Sequence, residues 1–289
     1  MPFTALIDVD SLTSLAGPAV LLDCRFDLSE PGAGRRAYAA GHIPGARYAD
    51  LNQDLSSPVT SASGRHPLPA PEVLAGFFAA AGIGDQTQVI AYDDANGSFA
   101  ARAWWLLRWL GHDSVAVLDG GFQAWVAAGG AAGGAPLESG ESPSAPGGAN
   151  PPFTVQLRPE SVLTAGDVER ALEDPRRLLV DARAAERFAG TVEPLDRVAG
   201  HVPGAVSHPF TANLGQDGRF QPLGELRRRW LTLLGGREPS DAILMCGSGV
   251  TACHNVLAMT SAGLPGGKLY AGSWSEWIRD PERPVARGS

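Results

Sequence analysis

Leu21-Leu22-Asp23-Cys24-Arg25, followed by Gly41-His42-Ile43-Pro44-Gly45-Ala46, decides how the chain is organised. Both segments return in the same order, as Leu179-Val180-Asp181-Ala182-Arg183 and Gly200-His201-Val202-Pro203-Gly204-Ala205. Further on, Val89-Ile90-Ala91-Tyr92-Asp93 corresponds to Ala242-Ile243-Leu244-Met245-Cys246, and Gly120-Gly121-Phe122-Gln123-Ala124-Trp125 to Gly272-Ser273-Trp274-Ser275-Glu276-Trp277. Two copies with a period of about 155 residues are a duplicated domain, because solenoid repeats recur every ~20–50 residues.

Within each copy, short Val/Ile/Leu-rich runs alternate with helical patterns. That alternation predicts an α/β protein of two domains, each a mainly parallel sheet with helices on both faces. In the first copy the strands fall near 20–22, 89–92 and 115–118. Between the last two, Ala100, Ala103, Trp104, Leu107 and Leu110 form an apolar stripe at helical spacing, which assigns Trp104, Trp105 and Trp109 to packing. The stretch 133–152 is rich in Gly, Ala, Ser and Pro without periodicity and reads as a linker, so the domains are expected at 1–132 and 153–289.

At 289 residues, 44% hydrophobic and 19% charged, the chain has material for two separate cores. Its net charge of −8, from 23 basic and 31 acidic residues, argues against nucleic acid or an anionic membrane as partner. An anionic substrate must therefore be held by local positive groups. The opening Met1-Pro2-Phe3-Thr4-Ala5-Leu6-Ile7 does not read as a signal peptide and no apolar run is long enough to span a bilayer, so a cytoplasmic location is expected. Three cysteines, an odd number, fit a reducing compartment, and their spacing matches no common zinc pattern.

The stretch with the most chemistry is Cys246-Gly247-Ser248-Gly249-Val250-Thr251-Ala252. It follows a strand-like run and precedes a helix-like one, so the cysteine sits in a glycine-rich turn. Such a turn aims several backbone N–H groups inward, and the following helix adds its positive end, an environment that suits a thiolate or another anion. At the matching place in the first copy stands Asp93, followed by Asp94-Ala95-Asn96-Gly97-Ser98; a carboxylate cannot perform thiol chemistry, so that copy is expected to be silent. Asp23 with Arg25, and Asp181 with Arg183, follow strands and read as charge pairs that organise loops. His42 and His201 recur in both copies although only one has the cysteine, which points to hydrogen bonds with loop backbone. Cys253, two helical turns beyond Cys246, reads as a buried thiol.

These motifs together resemble the tandem-domain rhodanese family of sulfurtransferases almost from end to end. The loop is similar to the type that uses 3-mercaptopyruvate, whereas thiosulfate-using members typically carry Arg and Lys at the positions of Gly247 and Ser248. The resemblance implies two-step transfer: Cys246 takes sulfur as a persulfide, pyruvate leaves, and a thiophilic acceptor such as cyanide, a small thiol or thioredoxin removes the sulfur. It implies no metal or organic cofactor. It also implies a relay of Ser248, His66 and Asp50 beside the cysteine, with the latter two coming from the first domain. Substrate would be held by Arg187, Arg197 and the backbone of Gly247, Gly249, Val250 and Thr251. Two other classes compete. A phosphatase loop needs an arginine six residues after the cysteine, where Ala252 stands. The other class is a non-enzymatic sulfur carrier or protein-binding module; an intact nucleophile loop favours catalysis over it, and sulfur relay to a protein partner stays an alternative.

Overall fold

The computed structural model describes residues 2–133 and 151–288, so most of the expected linker, 134–150, lies outside the described residues. The chain divides into two compact units. One comprises Met1–Ser57 with Leu68–Arg158, the other Pro58–Pro67 with Pro159–Ser289. Ten residues from the first copy of the repeat thus belong to the second unit, a reassignment that periodicity could not reveal.

The first unit holds a five-stranded sheet of β1 (Leu6–Ile7), β2 (Ala19–Asp23), β3 (Arg47–Tyr48), β4 (Gln88–Tyr92) and β5 (Val115–Leu118) in the order β1-β5-β4-β2-β3. All its pairings are parallel. The second repeats the plan with β6 (Val162–Leu163), β7 (Leu178–Asp181), β8 (Val206–Ser207), β9 (Ala242–Met245) and β10 (Lys268–Tyr270) in the order β6-β10-β9-β7-β8, again parallel. The strand runs inferred from sequence lie in β2, β4 and β5.

Every residue of β5, β7 and β9 is buried, as expected where both faces of a parallel sheet are covered. In the first unit Ile90, Tyr92, Ala116 and Leu118 pack with Tyr38 and Ile43 in one core. The pleat turns Val89, Ala91, Val115 and Val117 the other way. The helix Ala100–Trp109 packs against β4 and β5, with Trp104, Trp105 and Trp109 buried. Among the described residues, no helix is long and apolar enough to cross a membrane.

The repeated motifs perform the same bracing in each unit. Arg25 donates Nη2 to Asp23 at 2.6 Å and to the carbonyl of Gly41 at 2.7 Å; Arg183 does the same to Asp181 and Gly200, both at 2.7 Å. Each pair ties the end of a strand to the Gly-His-x-Pro-Gly turn. His42 and His201 bond through Nδ1 to the carbonyls of Tyr38 and Phe188, both at 2.8 Å, and stack on those rings. They are structural, as their presence in both copies requires.

Candidate active site

The central strands β4 and β9 are followed directly by Asp93 and Cys246. A ligand site is expected where the carboxyl ends of parallel strands meet glycine-rich turns. In the first unit the turn folds around its own carboxylate. Asp93 Oδ1 accepts the N–H groups of Ala95 and Gly97, and Oδ2 those of Phe99 and Ala100, all four at 2.8 Å. Burial still holds the carboxyl above its ordinary range, against the pull of these donors. The loop is therefore an anion cradle filled by a side chain.

In the second unit the same turn surrounds sulfur. The N–H of Gly249 points at Cys246 Sγ at 3.1 Å. Gly249 has φ +75°, and a Cβ there would lie 2.3 Å from the carbonyl oxygen of Ala271, so only glycine brings this amide to the sulfur without strain. Val250 closes the turn and the helix Thr251–Ser261 starts with its N-terminal end toward the loop. Cys253 is buried and donates Sγ–H to the Gly249 carbonyl at 3.3 Å, which accords with a packing role.

The 272–275 turn holds the loop from behind. Ser273 sits at φ +54°, an uncommon conformation for a non-glycine residue. Its Oγ accepts the Cys246 N–H at 3.0 Å and donates to the Tyr270 carbonyl at 2.8 Å. The N–H groups of Trp274 and Ser275 donate to the carbonyls of Cys246 and Gly247 at 3.0 and 2.9 Å. Neither Ser273 nor Ser275 stands out in the sequence beyond its place in the repeat.

The same turn docks the segment 58–67. Arg65 N–H donates to Ser275 Oγ at 3.0 Å, and a Cβ on Gly64 would strike the Gly272 carbonyl oxygen at 2.5 Å. This places His66 Nδ1 2.7 Å from Ser248 Oγ, with both side chains buried. Asp50 lies in the first unit, where it is buried and its Oδ1 accepts the N–H groups of Asn52 and Gln53 at 2.9 and 3.1 Å.

Arg187 lies beside the cysteine loop: its Nη1 and Nη2 fall 3.5 and 3.6 Å from where a Cβ on Gly247 would be. Nη2 pairs with Glu193 at 2.8 Å and Asp196 at 3.0 Å. Arg197, expected as a second substrate arginine, instead donates to the carbonyls of Ile278 and Arg279. The other guanidinium against Gly247 belongs to Arg65, whose Nη2 lies 2.8 Å from that Cβ position and whose Nη1 pairs with Asp196. Arg183 also reaches Glu193, at 3.4 Å, so three guanidiniums (Arg65, Arg183, Arg187) face three carboxylates (Asp181, Glu193, Asp196). Burial pushes the Asp196 carboxyl up although both neighbouring arginines oppose it. Burial also raises Glu193, but hydrogen bonds from Arg187 and the N–H groups of Leu195 and Asp196 outweigh it and leave that carboxyl below its ordinary range.

Comparison with known proteins identifies the family. A family model described as "Rhodanese-like domain" matches residues 8–128 and 164–280. A Pseudomonas aeruginosa protein named "Probable 3-mercaptopyruvate sulfurtransferase" is 52% identical over 93% of this chain and 92% of its own. A Mycobacterium tuberculosis protein named "Putative thiosulfate sulfurtransferase SseB" is 39% identical over 94% of this chain and 92% of its own. The solved 3-mercaptopyruvate sulfurtransferase from Leishmania major superposes with a TM-score of 0.81 at 31% identity, covering 96% of this chain and 76% of that one.

Proposed function

The chain belongs to the rhodanese-like family, carried in two copies, and from that footing we propose that it is a sulfurtransferase taking sulfur from 3-mercaptopyruvate through a persulfide on Cys246. The observation that carries this reading is the Gly249 N–H aimed at Cys246 Sγ, in a loop flanked by the Ser248–His66 pair and by Arg187. Thiolate Cys246 attacks the donor sulfur, an S–S bond forms, and the C–S bond breaks with its electron pair passing to carbon as the enolate of pyruvate. The thiol proton of the donor, handled by Ser248 and His66, ends on that carbon. The cradle of backbone N–H groups holds the outer sulfur anion as its Asp93 counterpart holds a carboxylate. A thiophilic acceptor (cyanide, a small thiol or reduced thioredoxin) then removes this sulfur and restores the thiolate. The first copy, with Asp93 filling its cradle, is silent. The odd number of free cysteines suits the reducing cytoplasm.

The relatives' names divide between two donors, and electrostatics favours one. The arginines beside Gly247 belong to a formally neutral cluster, so a monoanionic carboxylate fits better than dianionic thiosulfate, whose departing sulfite needs net positive charge. Turnover with each donor, cyanide as acceptor, tests this. The ratio of kcat/KM favours mercaptopyruvate by at least about tenfold, roughly 1.4 kcal/mol of transition-state discrimination; better use of thiosulfate overturns the choice of donor.

A further inference from the structure

We propose that Arg65 binds the sulfur donor, forming with Arg187 a clamp of two guanidiniums for the donor's carboxylate, with Asp196 as the resting counter-ion that this carboxylate replaces. The inference rests on the sulfurtransferase reading and names how the site grips its donor.

Three observations converge on Arg65. Its guanidinium and that of Arg187 both stand against Gly247, the residue next to the nucleophile. Both pair with the same carboxylate, Asp196, which is buried between them and so occupies the place of a bound carboxylate. The backbone of Arg65 is fixed by Ser275 Oγ, in the turn that also fixes the carbonyls of Cys246 and Gly247, so nucleophile and clamp share one support. A planar fork of donors on each side suits a carboxylate better than a lone ammonium would.

Gly247, without a side chain, leaves room for both guanidiniums. A Cβ there would approach Arg65 Nη2 to 2.8 Å, inside any ordinary contact, so a side chain at this position would displace the tip of Arg65. Arg65 is 28% exposed along its side chain and lines an open cavity together with Asp196 and Ser275.

The test uses the full chain with Arg65→Gln and Arg65→Lys, and two readouts. Steady-state kinetics with mercaptopyruvate give KM and kcat. The rates at which iodoacetate and iodoacetamide alkylate Cys246, displacing iodide, compare a carboxylate with its neutral counterpart and involve no sulfur transfer. Arg65→Gln raises KM by about tenfold to a hundredfold with kcat changed less than about threefold, as for loss of uniform binding. It also lowers the iodoacetate-to-iodoacetamide rate ratio at least about fivefold, and Arg65→Lys recovers part of both effects. A folded Arg65→Gln protein with wild-type KM and alkylation ratio overturns the clamp while leaving the sulfurtransferase reading intact. A wild type that ignores mercaptopyruvate yet shows the Arg65-dependent alkylation ratio overturns that reading and keeps the carboxylate clamp. Gly247→Ala, which displaces the tip of Arg65 without removing its charge, gives a second route should Arg65→Gln fold poorly. It is expected to lower the alkylation ratio in the same direction, and an unchanged ratio counts against the clamp.

Discussion

His66 Nδ1 lies 2.7 Å from Ser248 Oγ across 182 residues of sequence. The contact exists because the segment 58–67 packs into the second unit against the turn that supports Cys246. In the proposed mechanism this buried imidazole, bonded to a hydroxyl two residues from the nucleophile, moves the proton of the donor thiol. His66→Ala should lower kcat with mercaptopyruvate by about a hundredfold, within the usual range for general acid–base groups. Rapid-mixing measurement of pyruvate release checks this, and a wild-type rate removes His66 from the mechanism.

Gly249→Ala should affect both stability and chemistry. The left-handed backbone alone costs an L-residue about 1–2 kcal/mol, and the new methyl would meet the Ala271 carbonyl oxygen at 2.3 Å. We expect a loss of at least about 2 kcal/mol in urea unfolding, together with slower persulfide formation as the amide leaves Sγ. An unchanged midpoint and rate would show that the loop adjusts freely.

Asp93→Ala should be costly for a different reason. Four backbone N–H groups lose their common acceptor in a buried turn, and unsatisfied buried donors cost about 1–3 kcal/mol each, without strict additivity. The expected loss is at least about 3 kcal/mol by chemical denaturation, with Asp93→Asn losing less because one oxygen remains. Equal stability of Asp93→Ala and wild type contradicts the description of this loop as a filled anion cradle.

Most of the fold was legible in the sequence because duplication prints each structural constraint twice. The Asp-x-Arg pairs, the Gly-His-x-Pro-Gly turns and the aromatic segment after β5 and β10 keep their order, and each does the same work in both units. Cys246 was legible because one copy departs from the other at the end of a central strand. Arg65 was not legible. It stands beside His66, but nothing local marks it; its proposed role depends on the docking of 58–67 on the 272–275 turn. Arg197 misled because it is adjacent in sequence to the residue that faces the site, and that residue is Asp196, not an arginine. The strain at Ser273 was equally hidden, since a serine at positive φ leaves no periodic signature.

Asp54 gives stability a pH dependence. Burial, with a further contribution from the charge of Asp50, pushes its carboxyl up to about 6 against a hydrogen bond from the Asp50 N–H. The unfolded carboxyl titrates near its ordinary value of about 3.9. Between these values the folded protein binds the proton and the unfolded chain does not, so this contribution is fully present below about pH 4 and falls as pH rises through about 6. Partial exposure limits it to at most about 2–3 kcal/mol. Asp54→Asn should flatten the profile of stability against pH over that window; an unchanged profile in guanidinium titrations contradicts the assignment.

The most direct measurement is a single turnover of purified protein with one equivalent of 3-mercaptopyruvate and no acceptor, read by mass spectrometry and by pyruvate assay. The persulfide mechanism predicts that the peptide bearing Cys246 gains the mass of one sulfur atom, that pyruvate appears in equal amount, and that cyanide then removes the sulfur as thiocyanate. Cys246→Ser should show none of these. Pyruvate release without sulfur on Cys246, or full turnover by Cys246→Ser, would contradict it.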